Sequence, residues 1–155
     1  MRVVLQRVRK AQVIIEEKES REISEGILVF LVIEMADEIA DVDWLLNKVL
    51  NLRIFDDENG VMNKSLQDIN GELMVVSQFT LMATTKKGNR PSYIKAATHA
   101  HAIPLYESFI KKAGSILESK IATGTFGAMM RVILENDGPV TILIDSKNKE
   151  LSLIH

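Results

Sequence analysis

The sequence contains no cysteine in 155 residues, which excludes disulfides, thiolate nucleophiles and thiolate metal sites together. It also lacks a long apolar run: the longest, Ile27 to Ile33, is far below the roughly 20 residues that span a bilayer. The opening residues, Met1-Arg2-Val3-Val4-Leu5-Gln6-Arg7, meet charge too early for a signal peptide. No excess of one charge is present, since the net charge is -2. That argues against a strongly electrostatic nucleic-acid binder, although a local basic patch would still supply phosphate contacts. Histidine is scarce, with only His99, His101 and His155. The remaining composition, 46% hydrophobic and 26% charged, is that of an ordinary globular chain with a sizeable core. These features predict one soluble, cytoplasmic domain over residues 1–155, with no membrane contact and a loosely ordered tail after about Ser146.

The hydrophobic pattern predicts about seven strands and two main helices. Arg2 to Val8 alternates as a half-buried strand does, and Ala11 to Glu16 reads as a second strand after a turn. Ile27 to Ile33 is continuously apolar, as a strand buried on both faces would be. Ile39, Val42, Leu45, Leu46, Val49 and Leu50 fall at helical spacing, with Asp37 or Asp41 placed to cap the start. Arg53 to Asp56 looks extended, Asn59-Gly60 marks a hairpin turn, and Asn70-Gly71 precedes a strand from Glu72 to Phe79. Met82 to His101 is irregular, and a second helix runs from about Ala102 to Ser119. Two last strands, Met129 to Asn136 and Val140 to Asp145, flank an Asp137-Gly138-Pro139 turn. Strands cluster in hairpins rather than alternating with helices. The fold class is therefore α+β, a curved, mostly antiparallel, barrel-like sheet with two helices packed on it.

Four segments carry possible chemistry. In Ser77-Gln78-Phe79-Thr80, strand alternation puts Ser77 and Phe79 on the face of Val75, with Gln78 and Thr80 on the other. A strand ending there leaves the Phe79 and Thr80 N–H groups free to hold a carbonyl oxygen as charge develops on it. The plainer reading is a strand end whose hydroxyls cap local backbone groups. A Ser-His-Asp hydrolase is disfavoured, because no nucleophile elbow is present and the histidines lie in an irregular segment, at a helix start and in the tail. His99-Ala100-His101 has no further ligand close in sequence, so the pair reads as solvated and no metal is required. In Gly124-Thr125-Phe126-Gly127-Ala128-Met129-Met130, flexible flanks allow Phe126 and Met130 to sandwich a nucleobase, or simply to join the core. Gly138-Pro139 reads by itself as a hairpin turn, with the option of presenting backbone carbonyls to a ligand. Lys86-Lys87-Gly88-Asn89-Arg90 is either a phosphate patch or a solvated loop.

Taken in order, these pieces resemble the D-aminoacyl-tRNA deacylases. The resemblance runs from Met1-Arg2-Val3-Val4-Leu5-Gln6-Arg7-Val8 through Leu52-Arg53-Ile54-Phe55, Val75-Val76-Ser77-Gln78-Phe79-Thr80-Leu81, Lys87-Gly88-Asn89-Arg90-Pro91-Ser92 and Gly124-Thr125-Phe126-Gly127-Ala128-Met129 to Asn136-Asp137-Gly138-Pro139-Val140-Thr141. It departs from the family pattern at Met82 and Tyr93, where an aromatic residue and Phe are common, and at Val32-Ile33, where a glycine is common. The resemblance implies hydrolysis of the ester in D-aminoacyl-tRNA by the segment Ser77, Gln78, Phe79 and Thr80, with no cofactor. It implies contact with the acceptor end of the tRNA, Phe126 and Met130 lying beside the terminal adenine. It further implies a homodimer in which a cis Gly138-Pro139 bond reaches into the partner's pocket, meets the α-amino group and excludes L side chains. Arg7 would brace this arrangement through Gln78, and achiral glycine would pass. Two other readings stay open: a nucleic-acid-binding module that keeps the fold without turnover, and a broad esterase for small activated esters.

Overall fold

The computed structural model describes residues 1–150. In chain order the elements are β1 (Arg2–Ile15), β2 (Glu19–Ile23), β3 (Gly26–Val32), α1 (Ile39–Asn51), β4 (Phe55–Asp56), β5 (Met62–Lys64), β6 (Glu72–Ser77), a 3-10 turn (Phe79–Met82), α2 (His99–Ile116), β7 (Ile121–Thr123) and β8 (Met130–Asp145). The main sheet has the order β2-β1-β3-β6-β7, and β8 lies along the other edge of β1. Its centre is parallel, because β6 pairs in parallel with both β3 and β7, while the outer pairs are antiparallel. No helix is long and apolar enough to cross a membrane among the described residues.

Two cores lie on opposite faces of the sheet. On one face Val3, Leu5, Ile27, Val29, Leu31, Leu73 and Val75 pack against α1 and α2 through Leu45, Val49, Leu105 and Phe109. On the other, Val8, Ala11, Val13, Ile15, Leu28, Met74 and Val76 form a second cluster, which Met130 and Val132 cover. The continuous apolar run in β3 follows directly: its residues serve the two cores in alternation. The sheet closes toward a barrel where Arg21 of β2 donates to the Thr123 carbonyl at the end of β7, at 2.8 Å.

β1 is one strand, where the sequence suggested two and a turn. The register with β8 shifts between Gln6 and Val8 and again between Val8 and Lys10. Such a bulge adds a residue without ending the ladder and reverses the faces. Val3 and Leu5 accordingly serve the helix-side core, while Ala11, Val13 and Ile15 serve the other. β8 is likewise one strand and not two. Gln6 pairs with Thr141 and Val8 with Asn136, so residues 137–140 stand opposite Arg7 alone. The cis Gly138-Pro139 bond lies in this excursion, inside a continuous strand rather than at a hairpin turn. β2 and β7 are short strands that the sequence pattern did not reveal. α2 starts at His99, three residues earlier than expected, after an extended Thr98, and ends at Ile116.

The start of α1 is organised differently from expectation. Glu38 is the N-cap residue, and Asp41 accepts the Glu38 N–H at 2.9 Å. Asp37 pairs instead with the Met1 α-ammonium, both groups being fully buried. Ser146 joins the two carboxylates: its hydroxyl accepts from the Met1 ammonium and donates to Asp41 at 2.7 Å. Lys147 donates to Asp41 at 3.2 Å and Asn148 bonds back to the Asp145 carbonyl, so this part of the expected loose tail is tied down. Residues 151–155 lie outside the described residues.

Burial pushes the Asp41 carboxyl up, but hydrogen bonds from Ser146, the Glu38 N–H and Lys147 outweigh it, and the group ionises below its ordinary value of 3.8. A carboxyl lowered by folding adds stability that is complete above its unfolded value and is lost as pH falls through the folded one. Replacing Ser146 by Ala is therefore expected to flatten the acid limb of a stability–pH curve below about pH 4, read by denaturant unfolding at several pH values. A separate outcome concerns the buried pair. Asp37→Ala leaves the Met1 ammonium without a counter-charge, and unfolding at neutral pH is expected to show a loss of about 3–5 kcal/mol. A loss within the range of ordinary surface substitutions would contradict this account of the pair.

Candidate active site

β6 is held between β3 and β7, and Val75 and Val76 are buried on its two faces. Its last ladder bond runs from the Gln78 N–H to the Leu31 carbonyl, at 2.9 Å. The chain then turns into the 3-10 segment, so the strand alternation stops at Ser77 and does not place Phe79 and Thr80 as expected. The first N–H groups of a helical turn have no partner within it. Among the described residues, no hydrogen bond takes up the Phe79 or Thr80 N–H. Below β6, the Tyr106 hydroxyl donates to the Val75 carbonyl at 3.3 Å. Burial pushes this phenol up to about 12, which keeps it a neutral donor.

The strand end opens into a cleft of about 590 Å³. Ser77, Gln78 and Phe79 line one wall, and Phe126, Ala128 and Met130 line another. Phe126 packs edge-on against His99 and Tyr106, with ring centroids 5.2 and 5.6 Å away. It belongs to the helix-side core, whereas Met130 belongs to the second core, so the cleft lies at the seam between the two. Gly124 makes room for Met130: an added Cβ would come within 2.6 Å of the Met130 sulfur. Gly124 is itself fixed to β6 by its N–H, which donates to the Val75 carbonyl at 3.0 Å. The Phe126 loop and the Ser77 segment are thereby referenced to the same strand.

Among the described residues, nothing in the cleft resembles an activated nucleophile. Gln78 donates its side-chain N–H to the Thr80 hydroxyl, which lies on the exposed side. No hydrogen bond joins Ser77 or Thr80 to a histidine or a carboxylate among the described residues. His99 is exposed, as expected, and also lines the cleft, while His101 contacts the Asp37 carbonyl at 2.9 Å. The cleft lining includes no aspartate or glutamate. The chemistry on offer is two free backbone donors beside an apolar platform.

Arg7, Gly138 and Pro139 are not part of this cleft. Gly138 and Pro139 are exposed on the β8 excursion. Arg7 is buried beneath it, and its guanidinium donates to the Asp137 carbonyl at 3.1 Å and to the Ile54 carbonyl at 2.6 Å. It does not reach Gln78 within the chain. Asn136 pins the base of the excursion by donating to the Arg7 and Val140 carbonyls, at 3.0 and 3.1 Å. Gly138 has φ of 120°, and an added Cβ would come within 2.5 Å of the Arg7 guanidinium. No other residue fits there without strain and displacement.

Tyr93, His99 and Tyr106 were not recognised as parts of the site from sequence. Tyr93 lines the cleft and packs edge-on against Phe79 at 5.0 Å. Tyr106 looked like a member of the α2 apolar stripe, and only its hydroxyl, which needs a partner when buried, was a usable signal.

Comparison with known proteins agrees with this arrangement. The family model for D-Tyr-tRNA(Tyr) deacylase matches residues 4–145. The D-aminoacyl-tRNA deacylase of Cytophaga hutchinsonii is 62% identical over 150 residues, covering 97% of this chain and 100% of that protein. That of Flavobacterium psychrophilum is 58% identical with the same coverage. Among solved structures, a c-Myc DNA unwinding element binding protein superposes with a TM-score of 0.87 at 38% identity, covering 94% of this chain and 98% of that one. A probable eukaryotic D-amino acid tRNA deacylase shares the fold, with a TM-score of 0.77 at 16% identity, covering 93% and 98% of the two chains. The matched span holds both the free-donor strand end and the Gly138-Pro139 excursion, and the chain belongs to the D-Tyr-tRNA(Tyr) deacylase family.

Proposed function

We propose that the protein hydrolyses the ester joining a D-amino acid to the 3′ end of tRNA, releasing the free D-amino acid and the tRNA. The observation that carries this reading is the pair of unpartnered N–H groups at Phe79 and Thr80, beside a cleft that Phe126 and Met130 share. The aminoacyl ester is already activated, so a positioned water suffices for attack, assisted by the neighbouring ribose hydroxyl. The two N–H groups receive the carbonyl oxygen as it gains charge, and stabilisation of this kind usually lowers the barrier to acyl transfer more than any other single effect. The terminal adenine lies between Phe126 and Met130. Ser77 and Gln78 frame the reacting carbon.

The reaction site is completed by a second copy of the chain. The Gly138-Pro139 excursion is exposed, is stiffened from beneath by Arg7, and lies outside the cleft of its own chain. Inserted into a partner's cleft, its carbonyls meet the α-amino group and leave no room for an L side chain. Arg7 then braces Gln78 across the interface. A wall of backbone has no grip on the D side chain, so many D-amino acids are accepted, and glycine mischarged on tRNA(Ala) passes as well. The substrate places the enzyme in the cytoplasm.

The deciding assay compares D-tyrosyl-, L-tyrosyl- and glycyl-tRNA under single-turnover conditions, alongside mass determination by light scattering. Loss of the D and glycyl esters with the L ester spared, by a dimer, is the expected result. Equal loss of D and L esters would indicate a general esterase. Because one similar structure is of a DNA unwinding element binding protein, tRNA binding without turnover is the outcome that would favour a binding module.

Two substitutions separate the parts of the mechanism. Thr80→Ala keeps the N–H and removes only the hydroxyl, so the rate on D-tyrosyl-tRNA is expected to stay within about tenfold, whereas loss of a true nucleophile costs roughly 10⁴-fold or more. Gly138→Ala displaces the wall against Arg7. Its rate on the D ester is expected to fall about 10²-fold, as a misplacement of about 1 Å does, with a narrowed D-to-L ratio. An unchanged ratio would remove Gly138 from chiral selection.

A further inference from the structure

The chain has 21 acidic residues, but none lies between Glu72 and Glu107. That interval contains Lys86, Lys87, Arg90 and Lys95, so it contributes four positive charges to a chain whose net charge is -2. It also supplies much of the cleft, from Ser77 to Phe79 and from Tyr93 to Ala102. Positive charge and reaction site are thus encoded together, against the balance of the rest of the chain.

The structure makes this segregation spatial. Residues 85–91 form an exposed loop, closed at its base by reciprocal bonds between Thr84 and Ser92 at 2.8 and 3.0 Å. Gly88, with φ of 77°, allows the tip to reverse. The base is anchored to the cleft, because Tyr93 packs on Phe79 and the Ala97 N–H donates to the Ile33 carbonyl at 2.8 Å. Lys86, Lys87, Arg90 and Lys95 form no ion pair among the described residues, a state they share with seven other cations, so what sets them apart is an interval without a single carboxylate. The one acidic residue whose backbone pairs with this segment is Glu34, opposite Ala96. No ion pair joins its carboxylate to Lys86, Lys87, Arg90 or Lys95 among the described residues. Two apolar side chains remain largely exposed here, Ile94 next to Tyr93 at 86% and Phe79 on the cleft wall at 56%.

We propose that this segment is a docking surface for the sugar–phosphate backbone of the acceptor-stem duplex, next to the cleft that takes the unpaired end. The inference rests on the deacylase reading above and goes beyond it. The order of features matches the order in which such an RNA end is presented. The terminal base enters the cleft, the unpaired nucleotides cross the Phe79 and Ile94 platform, and the duplex phosphates meet Lys86, Lys87 and Arg90. Stacking on an apolar platform tolerates any base, and phosphate contacts carry no sequence information. The surface therefore suits an enzyme that meets many tRNAs. Each phosphate neutralised on a duplex contributes a slope of roughly -0.9 to the dependence of log affinity on log salt. Three contacts at the tip thus give a slope of about -3, from a protein whose net charge alone predicts no attraction.

The test uses the full-length protein with Lys86, Lys87 and Arg90 each replaced by Glu, and in parallel by Gln. The loop is exposed and unpaired, so both variants are expected to match the parent in thermal melting. Two substrates are compared: D-tyrosyl-tRNA, and D-tyrosyl ester on the trinucleotide CCA, which keeps the cleft-binding end but has no duplex. The proposal expects KM for the tRNA to rise tenfold or more at low salt with kcat unchanged, the salt slope to flatten by up to about 3, and the trinucleotide to be hydrolysed equally by all three proteins. Unchanged KM and slope on tRNA would overturn it, leaving a solvated loop. An equal rise on both substrates would also overturn it, because the loop would then act through the cleft. If the parent hydrolyses neither substrate, the deacylase reading fails separately. Salt-dependent binding of uncharged tRNA, lost in the Glu variant, then supports the surface, and binding unaltered by the variant rejects it.

Discussion

Residues 137–140 of β8 have to be accommodated opposite a single residue of β1, and the way this mismatch is resolved governs the rest of the molecule. The two strands pair on both sides of it, so the surplus cannot slide out along the ladder. It is displaced sideways, and the carbonyls and guanidinium around Arg7 fix where it goes. On β1 the next register shift, between Val8 and Lys10, reverses which side chains face which way. One strand thereby contributes to two cores, with Val3 and Leu5 on one side and Ala11, Val13 and Ile15 on the other. Two cores meeting on one sheet leave a seam. At the end of β6 that seam is the cleft, with Phe126 from one core and Met130 from the other.

β6 gives the cleft its reactive edge by ending. A central strand buried on both faces has every backbone group paired, which makes it rigid, and its last residue is the first point at which donors become free. The change from strand to 3-10 turn after Gln78 leaves two consecutive N–H groups without an intramolecular acceptor among the described residues. Donors held by a rigid strand need no reorganisation when charge appears in front of them, so a site built this way would need no strong base. The absence of carboxylates from the cleft lining has the same consequence, since a nearby negative charge would oppose an oxyanion.

The sequence showed those parts whose cause is local. The apolar run in β3, the spacing of α1, the Asn59-Gly60 turn between β4 and β5, and the start of β6 all depend on neighbours within a few residues. The continuity of β1 and β8 was not legible, because the charged pair Arg9-Lys10 interrupts the apolar pattern of β1 and Asp137-Gly138-Pro139 carries the residue types of a turn. Only their mutual pairing, over more than a hundred residues of separation, turns both into bulges of one ladder. Asp37 was misread for a similar reason. It has a helix-capping residue type at a helix start, but its partner is the amino group of Met1, which no local pattern discloses. His99 is exposed as expected, but its ring also lies against Phe126, a contact made by a distant loop that no local pattern discloses. The segments singled out in the sequence were recognisable as a set, while the cleft that unites some and leaves Gly138-Pro139 outside was a matter of topology.

That separation bears on how selection by exclusion would operate. A wall that rejects a side chain has to be stiffer than the side chain it rejects, otherwise the substrate opens it. Hydrophobic packing alone does not stiffen an exposed excursion, since Gly138 and Pro139 have little to pack against. Arg7 supplies the stiffness electrostatically. Its guanidinium is buried, so its bonds to the Asp137 and Ile54 carbonyls are charge-assisted in surroundings of low dielectric. The planar fork also fixes the angle between those two carbonyls, which a lysine, with a single rotatable ammonium, does not. The Asp137 carboxylate lies 3.5 Å from the same guanidinium and offsets the cost of burying it. The excursion is thus anchored by a charge inside its own chain while presenting uncharged backbone outside. In the proposed dimer, this arrangement would allow close approach to an α-ammonium without offering any side chain for a substrate to grip.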